Sequence, residues 1–201
     1  TEVSATLELV SIQGSSAVPI VVAIPKETVE YEKRVAATPE TVKKFVSMGC
    51  SVLIESGAGD GSSLPDAAFE AAGAKIASSA GAAFREADIV LCVQSPPLET
   101  LGGKPVLLIG MLNPYTAAAN YAKPNVTAFA MELVPRITRA QGMDVLSSQS
   151  NLAGYRAVLE ASAHFNRAFP MMMTAAGTVP PAKVFVMGAG VAGLQAIATA
   201  K

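Results

Sequence analysis

A glycine-rich turn near the carboxyl end of the chain limits its fold more than any other feature. Residues 188–193 read Gly-Ala-Gly-Val-Ala-Gly and directly follow the apolar residues 184–187. The pattern G-x-G-x-x-G between a strand and a helix is typical of α/β domains that bind a dinucleotide. We therefore predict a strand over residues 183–187, a helix over residues 191–201, and a dinucleotide at the turn between them.

Each glycine of this turn has a distinct expected role. Gly188 allows the tight turn, Gly190 lets a pyrophosphate approach the backbone, and Gly193 lets helix and strand pack closely. Val191 offers a backbone N–H at the positive end of the helix dipole. The alternative is a tight strand–helix turn that holds no ligand. The acidic residue found about 20 positions later in such folds would lie beyond Lys201. We expect only the first β-α unit of the domain here, and a piece that is inactive alone.

Composition excludes several classes of protein. The chain is 51% hydrophobic and 15% charged with a net charge of −1, so a large core is expected and global disorder is not. Lys and Arg do not cluster along the chain, so nucleic acid is a poor candidate partner. The apolar runs, of which residues 106–112 are among the longest, fall far short of the roughly 20 residues that a spanning helix needs.

Histidine and cysteine are too sparse for a metal site. The chain has two cysteines, Cys50 and Cys92, and one histidine, His164. No zinc-type set can be assembled from them, and we predict no bound metal. We expect the cysteines to be small buried hydrophobes without a disulfide framework, and His164 to have a surface or packing role. No nucleophile elbow or Ser/His/Asp set is visible.

From residue 20 onward, strand-length apolar runs alternate with helical stretches, which argues for a parallel α/β sheet with right-handed crossovers. The predicted strands cover residues 20–24, 51–55, 87–93, 105–110 and 126–131. The predicted helices cover residues 38–48, 65–72, 78–85 and 115–122. Residues 56–63 are rich in glycine but form no fingerprint, so we interpret them as a flexible strand–helix turn.

The alternation breaks at Val134-Pro135, where a polar loop leads into a long helix predicted from residue 149 to about 169 and ended by Pro170. We place a domain boundary within residues 136–147. The predicted organisation is an N-terminal extension (1–19), an N-terminal α/β domain (20–135), a loop (136–148), and a linking helix with the first β-α unit of a truncated Rossmann domain (149–201). The fold class is therefore α/β: a parallel-sheet domain joined by a long helix to the start of a Rossmann-type dinucleotide-binding domain.

Three stretches resemble the alanine dehydrogenase/transhydrogenase superfamily, and the likeness covers residues 20–201. They are residues 24–27 with 32–39, residues 135–144 with 146–148 and 151–156, and residues 175–183 running into the glycine turn. The second stretch discriminates best, because it is similar to the loop by which transhydrogenases hold the nicotinamide end of NAD(H). The resemblance is to the NAD(H)-binding component, domain I of the alpha subunit, of proton-translocating NAD(P) transhydrogenases.

The resemblance assigns site roles residue by residue. Arg136, Gln141 and Asp144 match the characteristic Arg, Gln and Asp of that loop and are its implied catalytic residues, while Ser147 matches a serine that approaches the nucleotide. Amide and carboxylate groups can fix the nicotinamide amide, and Arg can brace an Asp or a phosphate. The implied cofactor-binding set is Arg136, Ile137, Thr138, Gln141, Gly142, Met143, Asp144, Ser147, Gly188, Gly190, Val191 and Gly193. The alternative is that Arg136 and Asp144 simply pair across a surface loop.

Departures from the alanine dehydrogenases favour the transhydrogenase branch. Those enzymes use a carboxylate-binding Arg, which Arg34 would match, together with a Lys and a catalytic His. Gln94 stands at the Lys position, and Met111-Leu112 stand where the His would be. Amino-acid oxidation needs a proton acceptor, whereas hydride exchange between two nicotinamides needs none. We therefore expect Arg34 to be a structural residue of the first β-α turn.

The resemblance implies an oxidoreductase that transfers hydride between NAD(H) and NADP(H), coupled to proton translocation across a membrane. NADP(H) would bind a partner component, a membrane-embedded component would complete the complex, and the NAD(H)-binding component would be a homodimer. Its expected place is peripheral, on the cytoplasmic side of a bacterial inner membrane or in the mitochondrial matrix. Two alternatives stay open: an alanine-type amino-acid dehydrogenase, and a non-catalytic NAD-binding or scaffold subunit of a membrane complex.

Overall fold

A computed structural model describes residues 18–101, 104–122 and 125–201 of the chain. The chain divides into two compact units, Thr1–Phe129 and Ala130–Lys201. Most of the extension 1–19 lies outside the described residues, and the domain limits given above stay a prediction. In the described part of the chain, no helix has the length and apolar character to cross a membrane.

The first unit is built on a six-stranded sheet with the order β3-β2-β1-β4-β5-β6. Its strands are β1 (Val21–Ile24), β2 (Ser51–Glu55), β3 (Lys75–Ala77), β4 (Ile89–Gln94), β5 (Val106–Met111) and β6 (Val126–Ala130). The pairings from β3 through to β5 are parallel, and β6 lies beside β5 at the edge. The predicted parallel α/β architecture is confirmed. The strand order reverses between β1 and β4, which makes this the switch point of the sheet.

The α-helices described in this unit are α1 (Pro39–Ser47), α2 (Asp66–Ala71), α3 (Ala80–Glu86) and α4 (Pro114–Ala117). The start of α1 follows the predicted signals, because the Thr38 hydroxyl accepts the Thr41 N–H and Pro39 is the first helical residue. Ser79 caps α3 in the same way through the N–H of Ala82. A 3₁₀ turn over Ala118–Tyr121 follows α4.

The core of the first unit contains bulky side chains from both strands and helices. Fully buried examples are Ile24, Val42, Val52, Ile54, Phe69, Phe84, Val90 and Leu108. Cys92 is buried and Cys50 is half-buried, and neither belongs to a disulfide of the described residues. Strand β3 was not predicted, because a run of three residues is too short to give a sequence signal. It forms through parallel pairing with β2.

The second unit begins with two 3₁₀ turns, Met131–Leu133 and Thr138–Met143, and then contains α5 (Val145–His164). The predicted bounds of this helix, 149 to about 169, are wrong at both ends. The helix begins four residues earlier, with Asp144 as its N-cap, and Phe165, with ψ 117°, leaves the helical conformation well before Pro170. An antiparallel hairpin of β7 (Met172–Thr174) and β8 (Gly177–Val179) follows, where only a methionine-rich segment was expected.

The strand predicted over residues 183–187 is not observed. Apolar and β-branched residues favour a strand, but a strand also requires a hydrogen-bonded neighbour. No strand of the described residues pairs with this segment. The following helix α6 (Val191–Ala200) begins where predicted, at Val191, and ends one residue before Lys201.

Candidate functional site

A cleft of about 330 Å³ lies within the second unit. Its lining residues are Arg136, Ser147, Ser150, Met187, Gly188, Gly190, Val191, Ala192 and Gly193. The cleft therefore brings two residues of the predicted nicotinamide-side stretch, Arg136 and Ser147, together with the glycine turn some forty residues later. Ser150 was missed by sequence reasoning, although its i+3 spacing from Ser147 puts both on one face of α5 and could have revealed it.

The glycine turn has the backbone geometry that its pattern predicted. Gly188 has φ +99°, in the region that favours glycine. A Cβ on Gly193 would strike the carbonyl oxygen of Gly188 and lie 2.9 Å from its carbonyl carbon. A Cβ on Gly190 would meet no atom within 4 Å, so the space above this residue is open. The turn is therefore closed on the protein side and open towards the cleft.

The N-terminus of α6 contributes hydrogen-bond donors to this opening. Gly190 is the N-cap, no side chain caps the helix, and its first internal bond runs from the Leu194 N–H to the Gly190 carbonyl. The N–H groups that precede Leu194 have no acceptor within the helix, and they carry the positive end of its dipole. This wall of the cleft is suited to an anionic group.

Asp144 and Ser147 form a local network beside the cleft. The Asp144 carboxylate accepts the Ser147 N–H at 2.9 Å and the Ser147 hydroxyl at 2.6 Å. These bonds, the hydroxyl first, hold the pKa of Asp144 below its usual range, and the nearby Arg136 charge adds to the effect. Asp144 is absent from the cleft lining itself. It contacts Ser147, which lines the cleft.

The remaining loop residues form an exposed turn. A 3₁₀ helix covers Thr138–Met143, and the buried Ala140 holds it against the unit. Six residues of the predicted cofactor-binding set are absent from the cleft lining: Asp144 and the loop residues Ile137, Thr138, Gln141, Gly142 and Met143. The side chains of Ile137 and Met143 are 55% and 57% exposed. Their roles towards a cofactor stay predictions.

The surface pair between Arg136 and Asp144, considered as an alternative, is not among the ion pairs of the described residues. Ion pairs that the described residues do form include Arg34 with Glu32, Lys104 with Asp88, and Arg156 with Glu160. Arg136 instead lines the cleft together with the glycine turn.

In the first unit, Arg34 is held by a neighbouring carboxylate. Its Nε donates to Glu32 Oε1 at 2.7 Å and its Nη2 to Glu32 Oε2 at 2.5 Å. The Gln94 amide also donates to Glu32, at 3.3 Å. The bonds from Arg34 lower the pKa of Glu32 to about 2. This bidentate arrangement fits the structural role expected for Arg34.

A larger cavity of about 570 Å³ lies in the first unit, at the carboxyl ends of β4 and β5. It is lined by Val29, residues 94–99, residues 111–113, Ala117, Asn120 and Tyr121. No lysine, arginine or histidine is among these described lining residues. The cavity therefore offers no cationic side chain at the positions where alanine dehydrogenases were expected to carry Lys and His.

The fold and the cleft define an α/β protein in which a glycine turn opens a helix at one wall of a polar cleft. The chain belongs to the alanine dehydrogenase/PNT family: the family's N-terminal domain matches residues 23–153 and its C-terminal domain matches residues 157–201. This membership confirms the superfamily that the sequence resembles.

Individual relatives lie on both branches of the family. The first part of the NAD(P) transhydrogenase alpha subunit of Rhodospirillum rubrum is 56% identical over 190 residues, which cover 90% of this chain and 50% of the relative. Its counterpart from Rickettsia prowazekii is 48% identical over 187 residues, covering 88% of this chain and 48% of the relative. Alanine dehydrogenase of Mycobacterium tuberculosis is 34% identical over 183 residues, covering 87% of this chain and 49% of the relative.

Solved structures show the same order of similarity. A transhydrogenase from Sinorhizobium meliloti superposes with a TM-score of 0.83 at 54% identity, covering 90% of this chain and 53% of that chain. An L-alanine dehydrogenase superposes with a TM-score of 0.73 at 28% identity, covering 90% of this chain and 52% of that chain. The chain thus spans about half the length of the relatives that it matches.

Proposed function

We propose that the chain is the NAD(H)-binding part of a transhydrogenase that transfers hydride between NAD(H) and NADP(H). The observation that supports this most is the cleft in which Arg136 and Ser147 face the glycine turn. Relatives named as NAD(P) transhydrogenase alpha subunits are 46% to 56% identical to the chain, against 34% for an alanine dehydrogenase.

The glycine turn fits the pyrophosphate of a dinucleotide. The space above Gly190 is open, and the first N–H groups of α6, including that of Val191, have no competing side-chain cap and could donate to an anion. Arg136 adds a permanent positive charge to the same cleft. Gly188 and Gly193 hold the turn in this shape. These residues would bind the phosphates.

The loop residues would hold the nicotinamide end. Gln141 presents an amide with both donors and an acceptor, which suits the carboxamide of the ring. Asp144 is kept ionised by Ser147, so it supplies an acceptor of fixed position. Ile137, Thr138, Gly142 and Met143 would complete the surface around the ring. When bound, NAD(H) supplies or accepts the hydride, and these residues orient it without any need for a protein base.

Partners follow from the same proposal. The relatives are named as an alpha subunit, which implies a complex of several subunits. An NADP(H)-binding component and a membrane-embedded, proton-translocating component would complete it. A homodimer is supported by the exposed apolar residues of the hairpin, Met172, Met173 and Val179. The chain would then be peripheral, on the cytoplasmic side of a bacterial inner membrane or in the mitochondrial matrix.

The decisive experiment uses the protein with both family domains at full length. NADH binding is measured by calorimetry, and hydride transfer is followed by stopped-flow after mixing with the NADP(H)-binding component. We expect saturable NADH binding and transfer that needs no added substrate other than the two nucleotides. Tight NADH binding with no transfer would instead support the alternative of a non-catalytic NAD-binding or scaffold subunit.

The amino-acid dehydrogenase alternative is tested separately. The cavity of the first unit is lined by the neutral residues Gln94, Met111 and Leu112, at the positions that the resemblance assigns to the Lys and the His of alanine dehydrogenases. We therefore expect no steady NADH production from L-alanine and NAD⁺. A rate above about 1 s⁻¹, which is within the usual enzyme range, would overturn the transhydrogenase proposal.

A further inference from the structure

One face of helix α5 carries residues with two different surroundings. Ser147, Ser150, Asn151, Gly154 and Val158 follow each other at spacings that keep them on one side of the helix. Ser147 and Ser150 line the cleft. Gly154 and Val158 are the buried residues of the helix. The same face therefore forms a wall of the cleft at one end and a packing surface at the other.

Gly154 lies directly against the backbone of α6. A Cβ at this position would strike the carbonyl oxygen of Ala192 and would lie 2.9 Å from its carbonyl carbon and 3.0 Å from its Cα. Glycine is disfavoured inside a helix, and the φ of Gly154 lies outside the positive range that favours glycine. The close approach of the two helices is therefore the physical reason for a glycine here.

The residue that Gly154 contacts belongs to the glycine turn. Ala192 is the second residue of α6 and lines the cleft between Val191 and Gly193. One turn away along α5, the Asn151 amide donates to the Gln195 side chain at 3.2 Å. Helix α5 thus lies against the first turn of α6 at Ala192, and a hydrogen bond joins the two helices again at Gln195, the fifth residue of α6.

We propose that Gly154 is a positioning residue: it sets the distance between α5 and the first turn of α6, and so the placement of the N–H groups offered to a pyrophosphate. This inference rests on the proposed nucleotide site, although Gly154 itself makes no part of the cleft lining. A side chain at residue 154 moves the first turn of α6 relative to Arg136, Ser147 and Ser150.

The test substitutes Gly154→Ala in the protein with both family domains at full length. Binding of NADH and of ADP-ribose, which keeps the pyrophosphate but lacks nicotinamide, is measured by calorimetry at low temperature, with circular dichroism to confirm folding. We expect both affinities to fall by the same factor, on the order of ten- to a hundredfold, because bonds to a charged phosphate are displaced.

Two control variants separate positioning from loss of stability. Gly81→Ala is also a glycine replacement inside a helix, but a Cβ there meets no atom within 4 Å, so both affinities should match the wild type. Val158→Ala removes a buried side chain one turn further along α5. It should lower the denaturation midpoint and leave both affinities within about twofold, because it adds no atom against Ala192.

The outcomes are distinguishable. If wild type binds neither nucleotide, the proposed function fails and this inference with it. If wild type binds and Gly154→Ala binds equally well, or loses NADH but not ADP-ribose, the inference alone is overturned. Should Gly154→Ala not fold, Asn151→Ala decides: we expect affinities about two- to threefold weaker through the lost bond to Gln195, and unchanged affinities overturn the inference.

Discussion

Both oxygens of the Asp144 carboxylate accept hydrogen bonds from a single residue, Ser147, through its N–H at 2.9 Å and its hydroxyl at 2.6 Å. The hydroxyl proton is therefore directed at Asp144, and the lone pairs of the same oxygen remain for other partners. Since Ser147 lines the cleft, it is prepared to accept a hydrogen bond from an amide or a ribose hydroxyl. Asp144 thus acts on the cleft partly through its neighbour.

Asp144→Asn should weaken the hold of residue 144 on the Ser147 hydroxyl proton while preserving the helix cap. Asn caps helices as well as Asp does, so the denaturation midpoint should change little. The uncharged amide can no longer accept both bonds from Ser147, so NADH affinity should fall about two- to tenfold, as for one or two neutral hydrogen bonds. Calorimetric titration checks this. A large loss of stability at unchanged NADH affinity would show that Asp144 serves only as a structural helix cap.

Gln141→Asn should slow hydride transfer much more than it weakens NADH binding. The shorter side chain keeps its amide but reaches one methylene less far, so the nicotinamide is displaced while the glycine turn still holds the phosphates. A displacement on the order of 1 Å can cost about 100-fold in rate, whereas one neutral hydrogen bond contributes about 0.5–1.5 kcal/mol to binding. Stopped-flow rates and dissociation constants on one preparation separate the effects. Lost binding at unchanged transfer would make the loop an anchor only.

Gly193→Ala should damage the turn from inside. The added Cβ strikes the Gly188 carbonyl oxygen and approaches Val186 Cγ1 at 3.6 Å, so the turn must open. We expect a destabilisation of about 1–3 kcal/mol, typical of overpacking, and at least tenfold weaker NADH binding. Denaturant titration and calorimetry measure the two quantities. Normal NADH affinity in this variant would show that the turn does not contact the nucleotide.

Glu32→Gln should destabilise the first unit, by about 1–2 kcal/mol. Its carboxylate is 9% exposed and binds the Arg34 fork, but Arg34 is 41% exposed and water screens the pair. A matched control is Glu160→Gln, whose partner Arg156 is 71% exposed, and we expect a change within about 0.5 kcal/mol. Equal effects of the two substitutions would show that the Glu32–Arg34 pair contributes no more than a surface pair.

The same pair has a pH signature. The folded pKa of Glu32 is about 2 against an ordinary value of 4.5, so its stabilising contribution is complete above about pH 4.5 and is lost as the pH falls towards 2. Denaturant titrations from pH 6 to pH 2.5 should therefore show wild type losing more stability than Glu32→Gln. Parallel curves would contradict the assigned role of the pair.

Much of the first unit could be predicted because its signals are local. The strand at residues 51–55 is bounded by Gly49-Cys50 and the turn at residues 56–63, and Thr38-Pro39 marks the start of α1 directly. Strand β3 and the hairpin of β7 and β8 gave no such signal, since three-residue strands depend on their partners. The predicted start of α5 lies too late in the chain. Asp144 was assigned to a cofactor-binding loop, and that assignment does not reveal that Asp144 is also the N-cap of the helix.

The candidate site divides in the same way. The conformation of Gly188 and the close packing of Gly193 were predictable, because a six-residue pattern between apolar segments encodes them. The approach of Gly154 to Ala192 was not, because it joins two helices nearly forty residues apart and no local pattern signals it. For residues 183–187 the local signal is present but is not sufficient. Their side chains favour a strand, but strand formation also depends on a neighbouring chain segment.

The switch point of the sheet has a consequence for how the first unit folds. The Glu27 carboxylate, just beyond β1, accepts the N–H groups of Val93 at 2.6 Å and Gln94 at 3.0 Å, across 66 and 67 residues of chain. Closing so long a loop has an entropic cost, and such non-local pairings slow folding. The junction of β1 and β4 should therefore form after the more local β1–β2 pairing. Pulsed hydrogen exchange during refolding would show late protection of the amides of Val93 and Gln94.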